Sequence, residues 1–275
     1  MPPILLHLIP ASLYAGLSVW FWHNCSQAAD PKSRQNMTPY ERIVLLAALA
    51  VHGIALHRAL FPGEEMRFGF GVALSLMVWL AICFYWVETL YTRLGGLHAL
   101  AMPAGAVASL IPALFPGQHV LANAGSPAFR VHFIIAMLAY SLFTLAALHA
   151  MLMAFAERRL HDARLSRILS TLPPLLTMEA LLFRLIGIAF VLLTFTLASG
   201  VMFSESLFGT AFRVDHKTVF AVVSWLLFGA LLTGRRLRGW RGRIALRWTL
   251  AGFVALMLAY VGSRFVIEVL LHRAS

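Results

Sequence analysis

Eight apolar stretches follow one another along this chain, at 4–22, 43–61, 68–91, 97–115, 131–156, 180–203, 218–233 and 244–271, bounded by charge or by Pro and Gly. A hydrocarbon core of roughly 30 Å needs about 20 apolar residues in one helix. Inside that core every backbone N–H and C=O has to be paired within the structure itself, and a helix does this along a single segment. The expected fold is therefore an all-α integral membrane protein, a bundle of about eight transmembrane helices. Composition agrees: 60% of the residues are hydrophobic and 12% are charged, against about a quarter charged in soluble domains. One polytopic membrane domain, 1–275, accounts for the chain. Its eighth stretch, with the third, is long enough to tilt or to project beyond the core.

The formal net charge of +11 would suggest nucleic acid in a soluble protein. Here the arginines gather in alternate connecting segments. Residues 234–247 hold Arg235, Arg236, Arg238, Arg241, Arg243 and Arg247 with no acid; residues 157–167 hold Arg158, Arg159, Arg164 and Arg167; residues 23–42 are weakly basic. Cytoplasmic loops of membrane proteins collect Lys and Arg. These three segments are expected on the cytoplasmic side, which puts both termini outside and makes lipid, not nucleic acid, the partner. The outer segments, 58–67, 116–130, 204–217 and the tail from His272, are too short to fold as domains. The first stretch lacks a basic lead and a small-residue cleavage pattern, so it is expected to be retained. Cys25 and Cys83 show neither disulfide nor CxxC spacing.

Acids are scarce in the apolar stretches, but the chain has eleven histidines. Ionisable groups in a membrane are costly and point to function. On the expected topology His132, at the start of the fifth stretch, His216, before the seventh, and His272, after the eighth, meet at the outer face. His52 falls mid-membrane. Zinc sites of the HExxH kind need closely spaced ligands, a spacing this chain lacks. Two well-separated histidines across a gap suit the axial positions of a haem, with aromatics over the porphyrin and cations near its propionates. Phe208 and Phe212, with Arg130, Arg213 and Lys217, are the outer-face residues of those kinds. Each histidine also has a structural reading: His216 beside Asp215 as part of a helix cap, His132 as an interfacial residue, His52 as a hydrogen-bonding group between helices.

The stretch from Phe208 to Thr218 resembles the aromatic outer motif W-G-x-x-W-x-W-D-P-K-E of the cytochrome c assembly family of haem-handling membrane proteins, the CcsA, CcmC and HemX group. Phe208, Gly209, Phe212, Val214, Asp215, His216 and Lys217 fall in its register, with aromatic character kept at two of the three Trp positions. Trp225 matches the Trp in the helix that follows, "GWRGR" at 239–243 matches an inner loop, and Tyr260 with Gly262 matches a Y-x-G in the last helix. His132 and Tyr140 match a His and a Tyr eight residues apart. More closely, the chain resembles the YpjD-like bacterial inner-membrane branch, most specifically over 130–272. Thr233 stands where haem-exporting members place a second intramembrane His.

The resemblance implies a haem-binding inner-membrane protein, not an enzyme, that holds b-type haem at the outer face for cytochrome maturation. His132 and His272 would ligate the iron, with His216 the other candidate for the second ligand. Phe208 and Phe212 would cover the porphyrin, and His52 occupies the place of a histidine within the membrane. Apocytochrome c or other assembly proteins would be the partners. A different reading is a HemX-like regulatory or scaffolding protein that acts through its basic cytoplasmic loops. An electron-transfer cytochrome would need a ligand pair inside the membrane, and a transporter would be expected to show acidic pairs and broken repeat helices.

Overall fold

A computed structural model describes residues 3–27, 37–63, 65–91, 97–116, 119–121, 124–161, 174–208 and 216–262. Among these, eight α-helices run in chain order: α1 Pro3–Gln27, α2 Pro39–Leu60, α3 Phe70–Tyr91, α4 His98–Leu114, α5 Pro127–His161, α6 Leu175–Phe208, α7 His216–Arg238 and α8 Gly242–Met257. A π-helical turn, Leu258–Gly262, continues α8. Seven of the helices are long and apolar enough to cross a membrane. The eighth, α4, has 17 residues and carries Pro103 and Pro112 inside it. The expected bundle of about eight helices is therefore present, and the chain is a multi-pass membrane protein. Several helices outrun the apolar stretches that signalled them, because charged turns extend α5 to 35 residues and α6 leads in from residue 175.

Local signals explain several ends. Thr38 caps α2: its hydroxyl accepts from Glu41 N at 3.2 Å while the Glu41 carboxylate accepts from Thr38 N at 2.8 Å, and Pro39 opens the first turn. This reciprocal arrangement satisfies two of the N–H groups that a helix start leaves unpaired. Between α7 and α8 the chain reverses in three residues, helped by Gly239 and Gly242, whose φ angles of 65° and 53° lie in the left-handed region that favours glycine. The Trp240 ring folds back onto Gly234, so closely that a Cβ there would collide with it.

The packing places α5 at the centre. It lies along α6 and also touches α3 and α8, while α1 packs on α4 and α2, and α7 on α8. Close approach is visible where Phe143 of α5 stacks on Phe228 of α7 at 3.9 Å between centroids, with Gly252 of α8 under the Phe228 ring. Ser224 donates to the Gly252 carbonyl at 2.9 Å. Such small-residue contacts and interhelical hydrogen bonds replace the hydrophobic drive that helices lose in lipid.

The helix order gives the bundle two ends. One carries the arginine-rich segments and will be called the basic end. Four glutamates are there and all are engaged. Glu41 accepts from Trp20 at 3.2 Å, Glu88 from Arg184 at 2.6 Å and Glu157 from Arg243 at 2.7 Å, while Glu179 pairs with Arg235. At the other end the loops after α2 and α4 meet as a two-stranded antiparallel ladder, β1 Arg67–Phe68 against β2 His119–Val120. Phe68 is buried there, edge-on to Phe133 of α5 and tilted against Tyr260.

Candidate functional site

His132 sits in the second turn of α5, at the end of the bundle opposite the arginines, and is half-buried. Its Nδ1 lies 2.8 Å from Ser199 Oγ on α6. The Ser199 hydroxyl in turn donates to the Thr196 carbonyl at 3.1 Å. A serine has one proton to give. With that proton directed to Thr196, the serine oxygen would accept from His132 Nδ1, and Nε2 would be the nitrogen with the lone pair. Gly200 lies next along α6, where an added Cβ would be 3.6 Å from His132 Cε1. The side chain is thus oriented by a neighbour on α6 through Nδ1, with no side-chain Cβ at Gly200 against the ring. Metal-binding histidines are commonly held in this way by a hydrogen bond at the other nitrogen.

At the same end, Phe129 stacks on Phe133 at 6.0 Å, one step from the contacts of Phe133 with Phe68 and of Phe68 with Tyr260. Arg130 turns its Nε to the Ala124 carbonyl at 2.9 Å. One imidazole with an open Nε2, an aromatic cluster and an arginine are donors and walls of the kind a haem needs, so the residues present fit one axial side of the group. Haem bound there would supply a redox-active iron that accepts imidazole nitrogen. Among the described residues no three His, Cys, Asp or Glu side chains come together to hold a metal ion.

The remaining candidates are distributed as follows. His216 is the first residue of α7 and is exposed. Phe208 closes α6, its side chain outside the described structure; Gly209, Phe212, Arg213, Asp215 and His272 lie outside the described residues. His52 is fully buried between α1, α2 and α3, its Nε2 2.9 Å from Ser75 Oγ and its Nδ1 3.4 Å from the Tyr14 hydroxyl. It is a group between helices with an oxygen near each nitrogen. His7 reaches the Ser109 carbonyl at 2.8 Å, tying α1 to α4, and His98 packs its ring on Phe21 and hydrogen-bonds Tyr85.

Sequence reasoning missed Ser199 and Gly200, the two residues that prepare His132. It also missed Phe68 and Phe129. The pair Phe129 and Phe133 was visible as an i, i+4 aromatic repeat around the histidine; the Ser199 partnership spans 67 positions and left no local trace. At the basic end, the "GWRGR" turn is held internally. Glu179 binds Arg235, approaches Arg241 at 3.7 Å and accepts from Gly242 N at 3.3 Å. Arg243 is spent on Glu157. Arg241 and Arg243, which docking of a cytoplasmic partner would employ, therefore already have acidic neighbours.

The family model described as Cytochrome C assembly protein matches residues 16–271. The chain belongs to the cytochrome c assembly protein family. The match reaches almost to the start of the chain, well before the motifs that cluster over 130–272. Among curated members, it is 32% identical over 230 residues to the "Inner membrane protein YpjD" of Escherichia coli strain K12, covering 82% of this chain and 85% of that protein. An "Uncharacterized 28.8 kDa protein in nifR3-like 5'region" of Azospirillum brasilense is 31% identical, covering 74% of this chain and 78% of its own length. The "Cytochrome c biogenesis protein CcsA" of Gloeobacter violaceus is 32% identical over 92 residues, which is 34% of this chain and 27% of that protein. No solved structure matches the chain.

Proposed function

We propose that this cytochrome c assembly family protein is an inner-membrane haem carrier. It holds b-type haem at the face opposite its basic turns, with that face outward, both termini outside and the arginines in the cytoplasm. His132 would ligate the iron through Nε2, with His272 or His216 as the second ligand. Phe208 and Phe212 would cover the porphyrin. The protein breaks and makes no covalent bond in this role; it positions haem for an apocytochrome c or another assembly protein. The observation that carries the reading is the Thr196–Ser199–His132 chain of hydrogen bonds, which leaves Nε2 as the open nitrogen. Likeness to CcsA, named for cytochrome c biogenesis, supports the same role.

The test is an absorption spectrum with a pyridine haemochrome assay on protein purified in mild detergent from haem-sufficient cells. His132→Ala, His216→Ala and His272→Ala are compared with wild type. A Soret band that falls with His132 and with one other histidine identifies the pair. A wild-type protein without haem, even after hemin is added, removes the proposal.

A further inference from the structure

At the basic end, α5 and α8 enclose a cleft of about 290 Å³. Three arginines, Arg158 of α5 and Arg243 and Arg247 of α8, line it with Glu157. Its apolar part is Ala154, Leu246 and Leu250. The spacings are those of helix faces. Positions 243, 246, 247 and 250 lie on one side of α8, and 154, 157 and 158 on one side of α5. Glu157 neutralises Arg243 at 2.7 Å. Arg158 and Arg247 have no ion pair among the described residues, so the cleft keeps two positive charges over an apolar floor. The height matters as much as the charge. The apolar span of α5 ends at Arg158, and that of α8 begins at Gly242. The arginines therefore stand where hydrocarbon gives way to headgroups, with Leu246 level with Arg247 and with Leu250 and Ala154 about a turn deeper, at the level of acyl chains.

We propose that this cleft binds the phosphate headgroup of an anionic phospholipid. Arg158 and Arg247 take the phosphate oxygens, and the first acyl carbons rest on Leu246 and Leu250. Basic pockets between transmembrane helices recognise anionic lipids through such charge and depth, and guanidinium groups suit phosphate oxygens. A free phosphate ion would share the arginines but would have no use for the apolar floor. The site is remote from His132 and independent of haem.

Full-length protein, delipidated in mild detergent, is titrated with cardiolipin, with phosphatidylcholine and with inorganic phosphate. Thermal unfolding is followed, and bound lipid is counted by native mass spectrometry. Cardiolipin is expected to raise Tm by several degrees and to remain as a bound adduct, because a ligand that binds only the folded state stabilises it. The double variant Arg158→Gln/Arg247→Gln should lose most of that shift, and Arg158→Lys/Arg247→Lys should keep part of it. Arg58→Gln/Arg67→Gln, which removes two charges from the opposite end, should keep all of it. An equal shift with phosphatidylcholine, or an unchanged shift in the Gln double variant, overturns the site. An equal shift with inorganic phosphate at the same phosphorus concentration overturns the lipid as its occupant.

Discussion

His132 and His149 lie on the same helix and fasten it to the same neighbour, yet they present opposite nitrogens to it. They are separated by about 25 Å of α5 at 1.5 Å per residue. His132 gives Nδ1 to Ser199 and leaves Nε2, the nitrogen farther from the backbone, on a half-buried flank beside Gly200. His149 does the reverse. Its Nε2 is 2.9 Å from the Met178 carbonyl, and its Nδ1 is left buried with no hydrogen-bond partner. Its open nitrogen is thus the one nearest its own helix, with packed side chains all round. Residue type alone does not tell the two histidines apart; which nitrogen the neighbouring helix takes, and how deeply the other is buried, sets the proposed ligand apart from a strut.

Substitutions at the two positions should part accordingly. The largest effect is expected from His132→Ala, which should abolish the Soret band while leaving the protein folded in detergent, as judged by size-exclusion profile. Next is Ser199→Ala. It removes the acceptor that fixes the tautomer without touching the ligand, and hemin affinity should weaken by roughly 10- to 100-fold, the usual cost of losing an outer partner of a metal-binding histidine. Ser199→Thr should restore much of it. At Gly200, alanine should be tolerated, since its Cβ would make ordinary contact at 3.6 Å from the ring. Valine at the same place should lower hemin binding by crowding that flank, more mildly than Ser199→Ala. His149→Ala should leave haem per folded molecule unchanged and instead cost about 2 to 3 kcal/mol of stability through the buried volume it removes. Loss of haem in His149→Ala with retention in His132→Ala would invert the comparison. Glu179→Gln should have the smallest influence on haem. Its stability cost of about 1 to 2 kcal/mol is below that of a fully buried pair because Arg235 keeps 26% of its side chain exposed.

How far the sequence could be read follows from the range of the interactions involved. The helices were legible because apolar length is a local property, although α2 begins at Pro39, ahead of the apolar stretch at 43 that signalled it. Helix ends were less so: α5 and α6 run on through charged turns where hydropathy has already fallen, since a helix end is set by caps and tertiary contacts, not by apolar content. His132 was legible as a candidate through its place at a helix start and its likeness to a family histidine. Its preparation was not, because Ser199 and Gly200 are ordinary residues of an apolar helix until α5 is laid beside α6. The arginines of "GWRGR" looked free on the page for the same reason. Glu157 and Glu179, the acids that hold them, lie on other helices.

The π-helical turn at Leu258–Gly262 bears on how distant members should be compared. Hydrogen bonds that reach five residues back accommodate one residue more than an α-turn does. To anyone counting along the last helix, such a turn behaves as a one-letter insertion, worth about 100° of facing at 3.6 residues per turn. Alignments that carry a terminal histidine across this point should therefore open a single gap within 258–262 before asking whether two relatives place it on the same face.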